Sequence, residues 1–302
     1  MAIGLITPQQ QGKTMVEDVT PEITVVDYAS TPFFSSLVES EATNTLHQWL
    51  LDTYATSADN AAVEGSDLTY TDLTEPSRGT NIVQLFTKDL RVSDTARAVA
   101  HYGTGDPYAY QKQKRMVEMA RDIEKALVAG TRASGSSGVA RRLDGAIALI
   151  TTNKTARNSG TSLSETEFND IMEGIYTSGT DLTVDKAFTG SSLKRAISGY
   201  TAGSTKFTTA GPEGKLYNSY SIYESDFGVV TVMLEREVPT TAGNKGILLV
   251  DSSKWAVAYL TGRRPQHKPL ATIGDATRGM LAAELTLEAR NEKSSAYRSG
   301  YV

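Results

Sequence analysis

The first forty-five residues of this chain offer little from which to build a core. Pro8, Pro21 and Pro32 punctuate them, glutamines crowd their start, and only 23–28 and 33–37 bring apolar side chains together. Such a segment cannot bury enough surface to order itself, which predicts an arm over 1–45 that becomes ordered on something else. At residue 46 the pattern changes. Leu46, Gln48 and Leu50 alternate with His47, Trp49 and Leu51, the period of a strand. Residues 81–86 are rich in strand formers and read as the returning strand. Between them, 52–80 is dominated by Ala, Ser, Thr, Asp, Asn and Gly. A connection of that length is uncommon inside a compact domain, so the pattern predicts an extended β-hairpin loop over 46–93 that projects onto a partner.

An amphipathic helix follows. Asp106 suits an N-cap and Pro107 the first helical position, while Met116, Ala120, Ile123 and Leu127 recur on one face. With Gly130 as terminator, the helix over 106–130 would run roughly 30–35 Å at 1.5 Å per residue. Its charged face carries Lys112, Lys114, Arg115, Glu118, Arg121 and Asp122. Beyond a Gly/Ser loop at 130–138, residues 160–250 mix helical and strand patterns. Ser164 and Glu167 have capping-box spacing ahead of Phe168, Ile171, Met172, Ile175 and Tyr176, with Gly179 as the stop. A strand at 184–188, a helix at 191–200, a hairpin of 217–224 with 229–234, and a buried strand at 246–250 come next, then a strand at 255–260. Near the end, Leu281, Ala283, Leu285, Leu287 and Ala289 alternate with Ala282, Glu284, Thr286, Glu288 and Arg290. That predicts a strand with one apolar face and one polar face.

Charge sharpens the picture of the N-terminal third. The net charge of -5 is unevenly spread: no lysine or arginine lies between Lys13 and Arg78, whereas twelve acidic residues do. From Arg78 to Arg157 there are fourteen basic and seven acidic residues. An acidic segment repels itself and extends. It fits a solvated, partly disordered stretch, and equally an arm that lies on a basic surface of a neighbouring copy. There is no cysteine, which removes disulfides, thiolate metal sites and cysteine nucleophiles and fits synthesis in a reducing cytosol. Residues 1–20 lack the pattern of a secretory signal, and no apolar run approaches a membrane span.

Candidate chemistry is sparse. His47, His101 and His267 are far apart and have no metal-ligand spacing. Gly12, Lys13 and Thr14 imitate the end of a phosphate-binding loop, but position 7 is Thr7 where the motif needs glycine, and no strand precedes it. Gly103 and Gly105 suggest a dinucleotide loop, yet Tyr108 stands at the third glycine position, so they read better as a joint before the helix. The carboxylates Asp59, Glu64 and Asp67 do not match an EF-hand and read as a solvated loop. The pairs Arg141–Arg142 and Arg263–Arg264 and the cluster Lys112, Lys114 and Arg115 are modest basic patches, suited to salt bridges or loose phosphate contact.

The order of these parts resembles the Hong Kong 97-type capsid fold of tailed-bacteriophage major capsid proteins. Phrases along the chain are similar to a phage major head protein subfamily: Thr31-Pro-Phe-Phe34, Asn81-Ile-Val-Gln-Leu-Phe-Thr-Lys88 with Val92-Ser93 following, Asp122-Ile-Glu-Lys-Ala-Leu127 and Arg141-Arg-Leu-Asp-Gly145. The resemblance spans nearly the whole chain. It implies an α+β fold with an N-terminal arm (1–45), an extended β-loop (46–93), a peripheral sheet domain (94–159 and 251–302) holding the spine helix at 106–130, and an α/β axial domain (160–250). It implies a structural subunit, not an enzyme, with no cofactor. Hexamers and pentamers of the chain would form an icosahedral shell around double-stranded DNA, touched without sequence preference. The subunit would be made in the host cytoplasm and end in the virion, without membrane contact. The implied intersubunit residues are Phe33, Phe34, Trp49, Tyr54, Glu64, Asp67, Tyr70, Glu75, Arg78, Arg141 and Arg142. Two departures from relatives stand out. Residues 14–87 contain no lysine, which argues against a lysine cross-link from the loop. The short arm implies a separate scaffolding protein or none; a decoration protein is a further possible partner. Competing readings are an encapsulin-like compartment, an α/β enzyme built on 160–250, and a tail or adhesin protein.

Overall fold

The 23-residue helix Pro107–Ala129 forms where the sequence places its caps. The Asp106 carboxylate accepts the Tyr108 amide at 3.1 Å, and Pro107 opens the first turn. Gly130 ends it for a steric reason: a Cβ there would run into the carbonyl oxygens of Ala126 and Leu143. The buried seam is Met119, Ile123, Leu127 and Val128. Met116 lies along the same face, but the described residues leave its side chain exposed. The expected stripe therefore shifts toward the C-terminal half.

This computed structural model describes residues 28, 30–67, 70, 73, 75–99, 101, 105–178, 184–200, 222–241, 243–272 and 274–302. The first 27 residues of the expected arm, the imitation phosphate loop, Gly103, Gly179 and 217–221 lie outside them. The helices are α1 (Pro32–Ser36), α2 (Asp94–Ala98), α3 (Pro107–Ala129), α4 (Ala146–Leu149), α5 (Glu165–Thr177) and α6 (Ser191–Ser198). The strands are β1 (Val38–Ala42), β2 (Leu46–Leu51), β3 (Ser77–Ile82), β4 (Gln84–Ser93), β5 (Lys154–Thr161), β6 (Lys186–Thr189), β7 (Ile222–Ser225), β8 (Gly228–Leu234), β9 (Lys245–Val250), β10 (Trp255–Leu260), β11 (Gln266–Leu270), β12 (Ala276–Ala289) and β13 (Ala296–Tyr301).

Among the described residues these strands make three sheets. In the first, the long β12 pairs antiparallel with β4 and β11 along its first part and with β10 along its last, and β1 joins β10 in parallel. The second runs β5-β13-β9-β6-β8-β7 with mixed directions. The third is the hairpin root, β2 with β3. The expected return strand at 81–86 is thus divided at Val83: its beginning pairs with β2 and its continuation enters the first sheet.

Two cores share the second sheet. The first gathers the α3 seam, Phe33 and the inner side chains of β4, β10 and β12. The second gathers Phe168, Ile171, Met172 and Ile175 of α5 with Leu193 and Ile197 of α6. Strand β9 shows how they meet. Leu248 and Val250 enter the first core, whereas Ile247 and Leu249 enter the second, because successive side chains leave opposite faces of a strand. Helix α5 opens with the full capping box of Ser164 and Glu167, but Tyr176 points outward and stays exposed.

Three expectations change. Only part of 28–45 behaves as a free arm: α1 buries Phe33 and β1 is a strand of the chain's own sheet. The domain boundaries at 159 and 251 do not follow the sheets, since β5 and β13 share the second sheet with β6 to β9. The final strand is not half wet. Residues 281–289 are buried on both faces, because Arg263 and Arg141 cover Glu284 while His47, Ser40 and Arg290 cover Glu288.

Candidate intersubunit surface

The extended loop leaves the body through a root that the chain grips firmly. Trp49 stands opposite Gly79 across β2 and β3. Position 79 must be glycine because a Cβ there would strike the indole. The indole N–H donates to the Ala289 carbonyl at 2.8 Å, and the ring packs on the first core. Beside it, the Glu288 carboxylate accepts from His47 at 3.4 Å, from Ser40 at 2.8 Å and from Arg290 at 3.1 Å. The His47 bond leads these effects, and together they outweigh burial and hold the Glu288 carboxyl at about 2. Below the root, buried Asn81 donates to the carbonyls of Asp144 and Leu287 and accepts the amides of Asp144 and Ile82. All its polar capacity is used, which makes this a rigid joint.

Past Leu51 the grip ends. Every described residue of 52–76 is exposed, and their hydrogen bonds are local, such as Asp52 to the Thr53 amide and Asp59 to the Ala61 amide. Tyr54, Val63, Tyr70 and Leu73 stand almost wholly in water; Tyr70 is 91% exposed. Isolated exposed apolar residues are ordinary, but four on one segment, with no burial among its described residues, form a surface without a counterpart. Glu64, Asp67 and Glu75 are exposed beside them, and so is Arg78 at the root.

The remaining candidates divide. Phe33 is withdrawn as an intersubunit contact: it is fully buried and meets Phe188 edge to face at 5.4 Å. Phe34 is half-buried and its amide is bound to Glu124. Arg141 points at Glu284 of its own chain at 3.5 Å. Arg142 is exposed and lines a groove of about 500 Å³ between α3 and β4, with Leu85, Phe86, Met119, Lys125 and Ala126. The structure therefore brings the loop residues to one free segment, holds Phe33, Trp49 and Arg141 within the chain, and leaves Arg142 on a separate face.

Sequence reasoning missed the apolar part of that second face. Leu85 on that face is an exposed large side chain, and so, on α3 outside the groove lining, are Met116 and Val117. Leu85 was legible as the outward partner of Phe86 in the alternation of β4. Among the described residues, no group of three or more His, Asp or Glu side chains is arranged to hold a metal ion, and no helix is long and apolar enough to cross a membrane.

Residues 5–300 match the family described as SU10 major capsid protein. The chain belongs to this family. The major capsid protein of Escherichia phage Phieco32 is 36% identical over 109 residues, a match that spans 36% of this chain and 31% of that relative's length. Among solved structures, the capsid of a native GTA particle matches with a TM-score of 0.71 at 11% identity, covering 100% of both chains. The SrpI encapsulin of Synechococcus elongatus PCC 7942 matches with a TM-score of 0.58 at 10% identity, covering 99% of this chain and 96% of that one. These likenesses speak for the fold, and the fold of this SU10-family capsid chain is the Hong Kong 97-like one. The expected mixed α+β class agrees with it.

Proposed function

We propose that this chain is the shell-forming subunit of a tailed-phage head. It works as a structural part and not as a catalyst, and its principal partner is another copy of itself. In this reading, residues 52–76 of one copy lie across the next copy and bury Tyr54, Tyr70 and Leu73 there. The observation that carries the proposal is the contrast at Leu51, where a tightly held root gives way to an exposed acidic segment with apolar side chains. Such a segment suits a heterologous contact, in which one surface meets a different surface on the neighbour and repetition closes a ring. Rings of six and of five would tile an icosahedral shell around double-stranded DNA in the virion, after assembly in the host cytoplasm. Contact with the DNA would be electrostatic and indifferent to sequence. A separate scaffolding or decoration protein would act on the same assembled lattice.

The groove between α3 and β4 supplies a receiving surface with suitable chemistry. It offers exposed Leu85 to apolar side chains, and Lys125 and Arg142 to the loop's carboxylates, with Asp122 as the acidic residue of its lining. The encapsulin likeness rests on the fold alone, whereas the family match covers nearly the whole chain and favours the phage shell.

The test replaces 54–74 with a short Asn-Gly turn. The expected outcome is a subunit that unfolds at the same denaturant concentration as the parent but no longer forms particles in negative stain or sedimentation. Full assembly of the shortened chain would remove the loop from the account.

A further inference from the structure

Two carboxyl groups meet inside the junction between α3 and the axial sheet. Glu124, on the buried side of α3, and Glu235, one residue past β8, are 2% and 3% exposed. The two carboxyls lie close enough for each to act on the other's charge, and no cation is hydrogen-bonded to either among the described residues. Two ionised carboxylates only accept hydrogen bonds, and in a dry site their like charges repel. Sharing one proton relieves both conflicts.

The remaining oxygens agree with this. Glu124 accepts the Phe33 amide at 2.7 Å on one oxygen and the Phe34 amide at 2.8 Å on the other. One oxygen of Glu235 accepts the Glu237 amide at 2.9 Å; the other is buried with no further partner in sight. Burial first, and Glu235 second, push the Glu124 carboxyl up to about 9. The proton belongs to the pair as a unit.

What the pair joins gives it a use. The Phe33 and Phe34 amides belong to α1, which contains no charged residue of its own. A few residues earlier, the Tyr28 ring lies between Arg121 of α3, at 4.1 Å, and Arg236 beyond β8, at 4.4 Å. Its hydroxyl donates to Glu237 at 3.0 Å. The other charged groups at this junction are the Lys88–Asp122 pair, Glu118 and Lys125, which border the hollow beside Tyr28. The chain between Tyr28 and Ser36 is thus fixed at both ends to the same two elements.

We propose that Glu124 and Glu235 form a proton-binding site, and that its single proton fastens residues 28–36 as a strap across α3 and the end of β8. Removing the proton leaves two like charges in a dry site, which repel and lose their mutual bond. The pair holds its proton more tightly folded than unfolded. Its contribution is therefore complete below the ordinary glutamate value and declines as pH rises toward 9. The strap should be closed in acid and at neutral pH and should open in alkali. Nothing in this depends on assembly, so it applies to a single subunit.

The experiment is infrared spectroscopy of the full chain at about pH 7.5, where exposed carboxyls are ionised. A protonated-carboxyl band is expected in the wild type and should vanish in both Glu124→Gln and Glu235→Gln. In parallel, protection of the Phe33 and Phe34 amides from hydrogen exchange, corrected for intrinsic rates, should fall roughly tenfold or more between about pH 7 and pH 10.5. Glu235→Gln should abolish that fall, since its amide still donates to Glu124 and its oxygen still accepts from Glu237. If Glu124→Gln does not fold, Glu235→Gln decides the matter alone. Absence of the band in the wild type, its persistence in Glu235→Gln, or an identical protection profile in the two proteins would overturn the proposal.

Discussion

Residues 30–51 and residues 52–76 are both net acidic and free of lysine and arginine, but differ in what they touch. The first is richer in large apolar side chains and the second in carboxylates. The first stretch is nonetheless part of the body, with Phe33 buried, β1 in a sheet and Trp49 clasped at the root. In the second, every described residue is exposed. The average composition leans the same way, but a few residues set the anchoring. One phenylalanine and one tryptophan, each meeting a prepared cavity or carbonyl, keep the first stretch on its own chain. The tyrosines of the second have no such seat. Changes in the first stretch should therefore cost stability, and changes in the second should cost assembly alone.

The harshest trial of that division is Phe33→Ala. The side chain is wholly enclosed and bridges α3 and β6 through Phe188, so its loss leaves a cavity where two elements meet. A cost of about 3–5 kcal/mol is expected in equilibrium denaturation. A loss under about 1 kcal/mol would mean that 30–37 is a loosely held arm after all.

Trp49→Ala should come next. The indole is half-buried, and its removal forfeits both the packing on the first core and the bond to Ala289. A destabilisation of about 2–3 kcal/mol follows from those two losses. Gly79→Ala should also destabilise, because the new methyl meets the indole. Combining Trp49→Ala with Gly79→Ala should cost less than the sum of the two, since the clash disappears with the ring. Strict additivity would show that the two residues do not touch.

How much of this was readable beforehand depends on whether the signal was local. The spine helix was legible because Asp106, Pro107 and Gly130 act within a turn of its ends, and the same holds for Ser164 and Glu167. The free loop was legible from its length and composition. The seat of Phe33 was not, because it is made by Glu124 and Phe188, far along the chain. The double burial of β12 was hidden for a similar reason. Glu284 and Glu288 look like surface residues until Arg263, Arg141, His47 and Ser40 arrive from elsewhere. Alternation reports which face of a strand meets the first core, but it cannot report what covers the other face. Leu85 and Met116 mislead in the opposite sense, being apolar in pattern but exposed in one subunit.

Acid offers a finer distinction between root and strap. The Glu288 carboxyl lies at about 2, below its ordinary 4.5, through the bond from His47 with those of Ser40 and Arg290 behind it. Its folded value is depressed. The stability it supplies is therefore present above about 4.5 and is lost as pH falls toward 2. Glu288→Gln should lower stability at neutral pH and flatten this acid limb of the stability curve. The strap should not weaken over that interval, because the Glu124–Glu235 pair keeps its proton. Hydrogen exchange at the β2 and β3 amides should accelerate in acid before exchange at Phe33 and Phe34 does. Simultaneous loss at both places would show that root and strap open as one unit.

The smallest expected effect on folding is the most informative about the loop. Tyr54 and Tyr70 are almost entirely in water, so the double change Tyr54→Ala with Tyr70→Ala removes no contact from the isolated subunit. Its denaturation midpoint should stay within about 0.5 kcal/mol of the parent. If the two rings are buried against a neighbour, each forfeits an aromatic anchor at every repeat of the lattice. A loss of about 1–2 kcal/mol per interface, multiplied around a ring, raises the concentration needed for particle formation steeply. Light scattering against subunit concentration measures that threshold directly. A raised threshold with unchanged folding would separate the two stretches cleanly. An unchanged threshold would place the contact elsewhere on the loop, at Val63 or Leu73, while a lowered midpoint would mean that the rings already rest on their own chain.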